Sequence, residues 1–351
     1  MSLRRTIFGQ SYEIAEEAKV ETFGSISGTI DYSGAVLAPN GKIYCLPRNG
    51  TNVLVIDTVE KTINTIGNLG TQQNKNYGGV LAPNGNIYGA PYLYDAILKI
   101  NPETGEVSQI PTNGLMNYQG GVLAPNGKII FIPGQAGHFL EFDPETENFD
   151  SFGSIASSQV CAGGVLAPNG FIYTIPQNAN EIYKIDPITK TYTTISAPSG
   201  LNKWFGGTLA PNGKIYCAPF TRDSVLVIDP ATDTYSGIAT GLVNSLKWTG
   251  NVLAPNGKIY CIPFNYNGIL EIDPTNESAQ VIASGQLDGS SKYVCGTLSE
   301  NGAIFGAPRN ATSVLAISEI NEPNVLGSSL RMPSDLSELA TSEYNRYYNK
   351  L

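Results

Sequence analysis

Aromatic and basic side chains recur at one place in a repeating sequence unit, and they are the residues best suited to hold a ligand. The aromatic residues at this place are Tyr32, Tyr77, Tyr118, Trp204, Trp248 and Tyr293, and Cys161 takes the position in the one remaining unit. Lysines stand beside or near them as Lys75, Lys203, Lys247 and Lys292. Flat rings next to cationic donors suit a sugar, a peptide or an anionic small molecule.

A second set of variable segments follows later in each unit and reads RNGTN, YLYDA, GQAGH, QNANE, FTRDS, FNYNG and RNATS. These segments supply Arg48, Tyr92, Tyr94, Phe220, Arg222, Phe264, Tyr266 and Arg309. Variable loops on a repeated framework are where recognition is expected. The predicted ligand- or partner-binding set is Tyr32, Arg48, Lys75, Tyr77, Tyr92, Tyr118, Lys203, Trp204, Phe220, Arg222, Lys247, Trp248, Phe264, Tyr266, Tyr293 and Arg309.

The sequence lacks the residues that several kinds of catalytic site require. The chain has one histidine, His138, and no nucleophile motif accompanies it, so neither a serine-type triad nor a metal site with several imidazoles is predicted. Paired carboxylates could still bind calcium or act as acid and base, but most acids fall in repeated Asp-Pro turns, where turn formation explains them. No phosphate-binding glycine loop or dinucleotide fingerprint occurs. We therefore expect no cofactor, no metal and no enzymatic activity.

The element that positions these residues is a unit repeated seven times. The turn glycines of the PNG-like motif are Gly41, Gly85, Gly127, Gly170, Gly213, Gly257 and Gly302, spaced 42 to 45 residues apart. This period, with short β-rich runs between Gly, Pro and Asn, predicts four-stranded blades of an all-β, seven-bladed β-propeller. In such a fold the nearly invariant turns share one face and the variable segments share the other. An alternative for the aromatic ring is that it plugs the channel mouth and packs blade against blade.

A segment near either end of the chain could supply the strand that completes the last blade. The segment VETFGSI at Val20–Ile26 matches FDSFGSI at Phe149–Ile155, which predicts that an N-terminal strand supplies the fourth strand of the last blade and removes two exposed edges. The segment PNVLGSS at 323–329 could fill the same place. The predicted organisation is an N-terminal arm over 1–18, the propeller over 19–333 and a C-terminal amphipathic helix over 334–351.

The C-terminal helix is predicted from a cap-like Ser334 and helically spaced apolar residues. Its stripe includes Tyr344, Tyr347, Tyr348 and Leu351, which we expect either to pack on the propeller or to contact other protein subunits in an assembly. Three of the five cysteines, Cys45, Cys217 and Cys261, fall at one repeat position and are interpreted as small buried apolar residues.

The net charge of −9 argues against nucleic acid as a partner, because phosphate binding needs a basic surface. No apolar run is long enough for a membrane span. The N-terminus lacks the apolar region of a secretory signal, so the predicted location is a virion or the cytoplasm.

The endings VLVIDPATDTYSGIAT and IYKIDPITKTYTTISA resemble the repeat of YVTN-type seven-bladed propellers over roughly residues 19–330. The unit LAPNGKIYCIP is similar to a set of propellers from phage and microbial genomes. The resemblance implies the fold, and it suggests a non-catalytic interaction or structural module, such as a component of a phage virion or tail. Two alternatives stay open: a lectin-like domain that binds a glycan or host receptor through the variable face, and a propeller hydrolase or lyase.

Overall fold

The computed structural model describes residues 4–7, 10–13, 18–28, 30–243 and 246–320, and within these ranges every regular element is a β-strand. Seven sheets each contain four antiparallel strands, and the innermost strand of each sheet contacts the innermost strand of the next, including the last with the first. The predicted all-β, seven-bladed propeller is confirmed.

Strands β4 to β30 follow the chain around the ring, and two shorter strands form a separate hairpin. The hairpin is β1 (Arg4–Ile7) with β2 (Gln10–Glu13). Blade 1 is β4 (Tyr32–Leu37), β5 (Lys42–Pro47), β6 (Val53–Asp57) and β7 (Thr62–Ile66); blade 2 is β8 (Asn76–Leu81), β9 (Ile87–Pro91), β10 (Ala96–Ile100) and β11 (Val107–Pro111). Blade 3 is β12 (Tyr118–Leu123), β13 (Ile129–Pro133), β14 (Phe139–Phe142) and β15 (Phe149–Phe152); blade 4 is β16 (Cys161–Leu166), β17 (Ile172–Pro176), β18 (Glu181–Asp186) and β19 (Thr191–Ser196). Blade 5 is β20 (Trp204–Leu209), β21 (Ile215–Pro219), β22 (Ser224–Asp229) and β23 (Thr234–Ala239); blade 6 is β24 (Trp248–Leu253), β25 (Ile259–Pro263), β26 (Ile269–Asp273) and β27 (Ser278–Ile282). Blade 7 is β28 (Tyr293–Leu298), β29 (Ile304–Pro308) and β30 (Val314–Ser318), completed by β3 (Lys19–Phe23).

The N-terminal strand closes the ring, as its sequence predicted. Strand β3 pairs antiparallel with β30, from Lys19 opposite Ser318 to Phe23 opposite Val314. The ring of Phe23 also lies edge-on to that of Phe305, with centroids 5.9 Å apart. This pairing covers the edge of β30 that would otherwise be open. The competing segment at 323–329 and the predicted C-terminal helix lie outside the described residues.

The repeated turn forms a hydrogen-bonded clamp between neighbouring blades. At the joint of blades 2 and 3, Asn84 donates through Nδ2 to the hydroxyl of Tyr88 at 3.1 Å and to the carbonyl of Pro144 at 2.9 Å. Pro144 belongs to the Asp-Pro turn of the following blade. The PNG motif of one blade therefore donates a hydrogen bond to the Asp-Pro motif of the next. Equivalent bonds to Pro102, Pro230 and Pro274 join three further pairs of blades. The near-identical sequences of the repeats are therefore explained by one type of contact that recurs between neighbouring blades.

Glycine at the axis allows the innermost strands to approach one another. Gly206 has a φ of +69°, and a Cβ placed on it would lie 2.7 Å from the Cα of Gly250 in the next blade. No side chain fits that distance, so glycine is required where the innermost strands of blades 5 and 6 meet. The cysteines at the repeated position, Cys45, Cys217 and Cys261, are free and buried, as expected of small core residues. No helix among the described residues is long and apolar enough to cross a membrane.

Candidate functional site

The mouth ring is the set of residues that directly follow the proline ending the second strand of each blade. Its members are Arg48, Tyr92, Gly134, Gln177, Phe220, Phe264 and Arg309. Their backbones are joined through the residue that precedes each first strand: Lys247 N donates to Phe220 O at 2.9 Å, and Phe264 N donates to Lys247 O at 2.8 Å. Because this belt fixes the backbone, the side chains of the mouth ring start from a rigid frame.

The predicted lysines support this frame and are not surface donors. Lys75, Lys203 and Lys247 are fully buried and Lys292 nearly so. Each ammonium group donates to carbonyls of nearby loops, as Lys203 Nζ does to Ala179 O at 2.6 Å and to Gly200 O at 3.1 Å. Burial lowers the pKa of Lys203 to about 8, with a smaller contribution from Arg222. The sequence predicted that these lysines face a ligand, but in the structure their side chains point toward nearby loops.

Five of the six predicted aromatic residues pack inside their own blades. These are Tyr32, Tyr118, Trp204, Trp248 and Tyr293, all buried. The indole of Trp204 donates to Ser224 O at 2.8 Å, and that of Trp248 donates to Gly268 O at 2.9 Å, which ties the first strand to the start of the third. This arrangement matches the core-packing alternative for the aromatic ring.

Tyr77 differs because it stands one residue later than the other five. Asn76 pairs with Pro91 as Trp204 pairs with Pro219, so Tyr77 corresponds to Phe205 and lies on the opposite side of its strand. The rings of Tyr77 and Phe205 come from blades 2 and 5, yet their centroids are 5.9 Å apart. This contact spans the axis.

An apolar plug, to which two residues of the mouth ring contribute, closes the channel. It consists of Tyr77, Ala162, Phe205, Phe220, Leu246, Phe264 and Val294. Phe220 contacts Phe205 and Phe264, each with centroids 5.4 Å apart. The predicted residues Phe220 and Phe264 are therefore plug residues, and a ligand at this face would lie above them.

Two arginines of the mouth ring converge on one buried aspartate. Arg309 Nε lies 3.6 Å from Asp31 Oδ1, and Arg48 Nη1 lies 3.9 Å from Asp31 Oδ2. The side chains of Arg48 and Arg309 keep 19% and 25% of their surface exposed, against 11% for Asp31. Burial raises the pKa of Asp31, although Arg309 and Arg48 oppose that rise. We call Asp31, Arg48 and Arg309 the arginine pair site.

The arginine pair site has hydrogen-bonding capacity that its own residues do not use. Asp31 Oδ1 and Arg48 Nε are buried without a hydrogen-bond partner. Among the described residues no hydrogen bond from either guanidinium is present, and a guanidinium carries five N–H donors. The distances to Asp31 exceed hydrogen-bond length, so one carboxylate does not saturate two cations.

Aromatic rings flank the arginine pair on both sides. Arg48 lies over Tyr92 at 5.8 Å and over Tyr77 at 6.0 Å, and Arg309 lies over Phe264 at 5.2 Å. Such stacking holds a guanidinium plane in place while its edge donors stay free. The order around the ring is thus aromatic, arginine, arginine, aromatic, across blades 6, 7, 1 and 2.

Two other predicted residues lie away from this cluster. Arg222 stacks on Trp204 at 5.6 Å and donates to Ser199 O, and Tyr266 packs on Trp248 at 4.8 Å. Both line the rim of blades 5 and 6. The predicted assembly residues Tyr344, Tyr347, Tyr348 and Leu351 lie outside the described residues.

His138 occupies a structural position in blade 3. It directly precedes the third strand, as Gly268 does in blade 6, and its ring meets that of Tyr118 edge-on at 6.0 Å. It therefore stands where other blades receive the polar atom of the first-strand aromatic residue. In the part of the chain that the structure describes, no group of three or more His, Cys, Asp or Glu side chains could hold a metal ion.

Comparison with known proteins identifies a family and a fold. A family model described as a domain of unknown function (DUF5074) matches residues 15–218, more than half of the chain. No curated protein sequence matches the chain. Among solved structures, a streptogramin B lyase superposes with a TM-score of 0.74 at 15% identity, covering 88% of this chain and 98% of that one.

Two further structures match over nearly their full length. A catalytically inactive histidine-to-alanine variant of virginiamycin B lyase from Staphylococcus aureus, with quinupristin, has a TM-score of 0.75 at 11% identity and covers 86% of this chain and 99% of that one. Hydrazine synthase of Kuenenia stuttgartiensis has a TM-score of 0.65 at 11% identity and covers 83% of this chain and 96% of that one. At such identities the likeness establishes the fold.

These matches correct the predicted function. The sequence suggested a non-catalytic interaction or structural module of a phage virion, and this prediction is wrong, because the solved propellers that the chain resembles include streptogramin B lyases, which are enzymes. The expected phage origin has no support among the matches. Matching propellers include enzymes, so the fold itself does not favour a non-catalytic role.

The family model spans most of blades 1 to 4 and part of blade 5, together with the closing strand β3. The chain therefore belongs to the family described as a domain of unknown function (DUF5074), and it folds as a closed seven-bladed propeller similar to streptogramin B lyases.

Proposed function

We propose that the protein binds a small anionic molecule at the mouth of its channel, between Arg48 and Arg309. The observation that carries this proposal is the pair of partly exposed guanidiniums that share one buried carboxylate and donate no hydrogen bond to any residue the structure describes. Two positive charges against one negative charge leave the cluster cationic. A planar carboxylate or a phosphate accepts paired N–H donors in the geometry that guanidinium offers.

The surroundings favour a ligand with a flat apolar body. The plug closes the channel below, so the ligand lies on the rings of Tyr92 and Phe264 rather than entering the axis. Aromatic rings on both sides of an anionic group suit an aromatic or conjugated acid.

A panel of small aromatic carboxylates and phosphates, titrated by calorimetry, tests the proposal. Arg48→Met and Arg309→Met should each weaken binding by roughly ten- to a hundredfold, because a hydrogen bond to a charged group contributes about 1.5–3 kcal/mol. Arg222→Met is the matched control, since Arg222 also stacks on an aromatic ring at the same face but lies outside the cluster. Equal effects of all three changes, or no binding by any member of the panel, would contradict the proposal.

A second candidate function is acid–base chemistry of the lyase kind on the same bound anion. Its specific support is Asp31, whose pKa is raised by burial while two arginines stand beside it. In an elimination, Asp31 would take a proton from the carbon next to the substrate's carboxylate. The C–H electron pair would form the new double bond, and the leaving group would depart with its own bonding pair. The arginines would stabilise the negative charge that develops on the carboxylate.

Asp31→Asn separates this candidate from binding alone. Loss of one negative charge beside two arginines should keep or strengthen anion binding, whereas elimination would stop because an amide does not accept the proton. Formation of the unsaturated product is followed by its ultraviolet absorbance. Unchanged turnover in Asp31→Asn would remove Asp31 from the chemistry and leave the binding proposal standing.

A further inference from the structure

The joints between blades on the face of the PNG turns carry a repeated ion pair, and among the joints whose residues the structure describes, the joint of blades 1 and 2 lacks it. The fifth residue of the Asp-Pro-type turn has a positive φ, and it is charged in five of the blades described at this position: Lys61, Glu147, Lys190, Asp233 and Glu277. Its side chain reaches back to the preceding blade, as Lys190 does to Glu141 at 2.8 Å and Asp233 to Lys184 at 2.6 Å. In blade 2 the same position is Gly105, with φ of +75°.

The joint of blades 1 and 2 matches the joint of blades 5 and 6 at the lysine and at the clamp residues. Lys42 corresponds to Lys214, and the clamp asparagine donates to a tyrosine hydroxyl at 2.9 Å in both joints. At the joint of blades 5 and 6, Lys214 Nζ lies 2.7 Å from the carboxylate of Glu277. At the joint of blades 1 and 2, Gly105 stands where Glu277 would, and the ion pair described for Lys42 is with Asp57 of its own blade.

A groove of about 370 Å³ occupies the space that this missing side chain leaves. Its lining combines apolar surface from Tyr44, Val55, Ile66 and Pro102 with polar side chains, which include Lys42 and the carboxylates of Asp57 and Glu103. A Cβ placed on Gly105 would meet no atom within 4 Å, so the space beside it is open. The volume lies within the range of small-molecule sites, and the lining is mixed polar and apolar.

We propose that this groove binds a small carboxylic acid, whose carboxylate takes the place of the Glu277 carboxylate and pairs with Lys42. Lys42 Nζ lies 3.3 Å from Asp57 on its own blade, with 45% of the lysine side chain exposed. Lys214 has the equivalent Asp229 beside it and still pairs with Glu277, so the neighbouring aspartate does not prevent the second contact. The apolar body of the ligand lies on Val55 and Ile66.

The probe for this site is 4-bromobenzoate, with 4-bromobenzamide as the uncharged match. Anomalous scattering from bromine in a crystal soaked at about 10 mM locates each bound molecule, so the groove and the arginine pair site are told apart by position. A titration in solution gives the affinity in the Arg48→Met/Arg309→Met background, where the groove is the site that remains intact. The expected result is a bromine peak in the groove with the acid and none with the amide.

Two reciprocal variants decide the proposal. Gly105→Glu should abolish the groove peak and weaken binding at least about tenfold, because it supplies the missing carboxylate in a conformation that five equivalent residues adopt. Glu277→Gly should create a second peak at the joint of blades 5 and 6. Lys42→Met leaves the groove open but removes its charge, and should weaken binding by a similar factor. The proposal is overturned if the groove is empty in the native protein, or if its peak survives Gly105→Glu.

Discussion

Replacing Asn84 by alanine tests whether the PNG turn acts as a clamp between blades. The side chain makes three hydrogen bonds: to the Tyr88 hydroxyl at 3.1 Å, to Pro144 O at 2.9 Å, and from Asn86 N at 3.1 Å. Each such bond contributes about 0.5–1.5 kcal/mol, so Asn84→Ala should lower the free energy of unfolding by about 2–3 kcal/mol.

Blade 3 supplies a matched control in the next joint. There Ile130 takes the tyrosine position, and the described bond of the Asn126 side chain is the one it accepts from Lys128 N within its own turn at 3.1 Å. Asn126→Ala should therefore lower the free energy of unfolding by only about 1 kcal/mol. Urea unfolding measures both changes, with an unchanged slope showing that the same surface is exposed. Equal losses for the two variants would refute the clamp.

Three further perturbations follow from the buried lysine, the closing strand and the axis. Lys203 has a pKa of about 8 in the folded protein against an ordinary 10.5, so between these values the unfolded chain binds more protons and stability rises with pH. Lys203→Met should remove up to about 3 kcal/mol of that rise, measured as unfolding free energy at pH 7.5 and 10, and an unchanged pH dependence would contradict it. Deleting residues 1–23 removes β3 and should cause association on size-exclusion chromatography, while deleting 1–17 should not; monomers in both cases would argue against closure by β3. Gly206→Ala should cost at least about 2 kcal/mol because its Cβ meets backbone at 2.7 Å, whereas Gly213→Ala, with open space around it, should cost about 1 kcal/mol; equal thermal shifts would exclude crowding at the axis.

The architecture was predictable because the same turn and strand sequences recur in every repeat. A turn glycine at a period of 42 to 45 residues predicts the blades, and the match between VETFGSI and FDSFGSI predicts which strand closes the ring. The contact that the PNG motif makes was not predictable from one repeat unit. The clamp asparagine of one blade contacts a proline about 60 positions later, and only the assembled ring shows that contact.

The site was predicted in part, and the errors have local causes. The aromatic slot was misaligned at Tyr77, because Asn76 takes the position of the first-strand aromatic residue in blade 2 and the ring one residue later faces the axis. The lysines were taken for surface donors, but their ammonium groups find carbonyls of nearby loops. Asp31 was missed although a signal existed: it is an acid at the position where four other blades have a lysine.

The arginine pair joins residues from the two ends of the ring. Arg48 and Arg309 belong to the first and last blades, and they meet at Asp31 only because the ring closes there. Neither spacing nor composition of a single repeat contains this pairing. The second feature that escaped prediction, Gly105, becomes visible only when the described joints are compared with one another.

A crystal structure of the protein soaked with an aromatic carboxylate shows whether the mouth binds an anion. We expect carboxylate oxygens about 2.7–3.0 Å from nitrogens of both Arg48 and Arg309, with the ring of the acid against Tyr92 or Phe264. A mouth that stays empty while the two guanidiniums close to hydrogen-bond distance on Asp31 would contradict it.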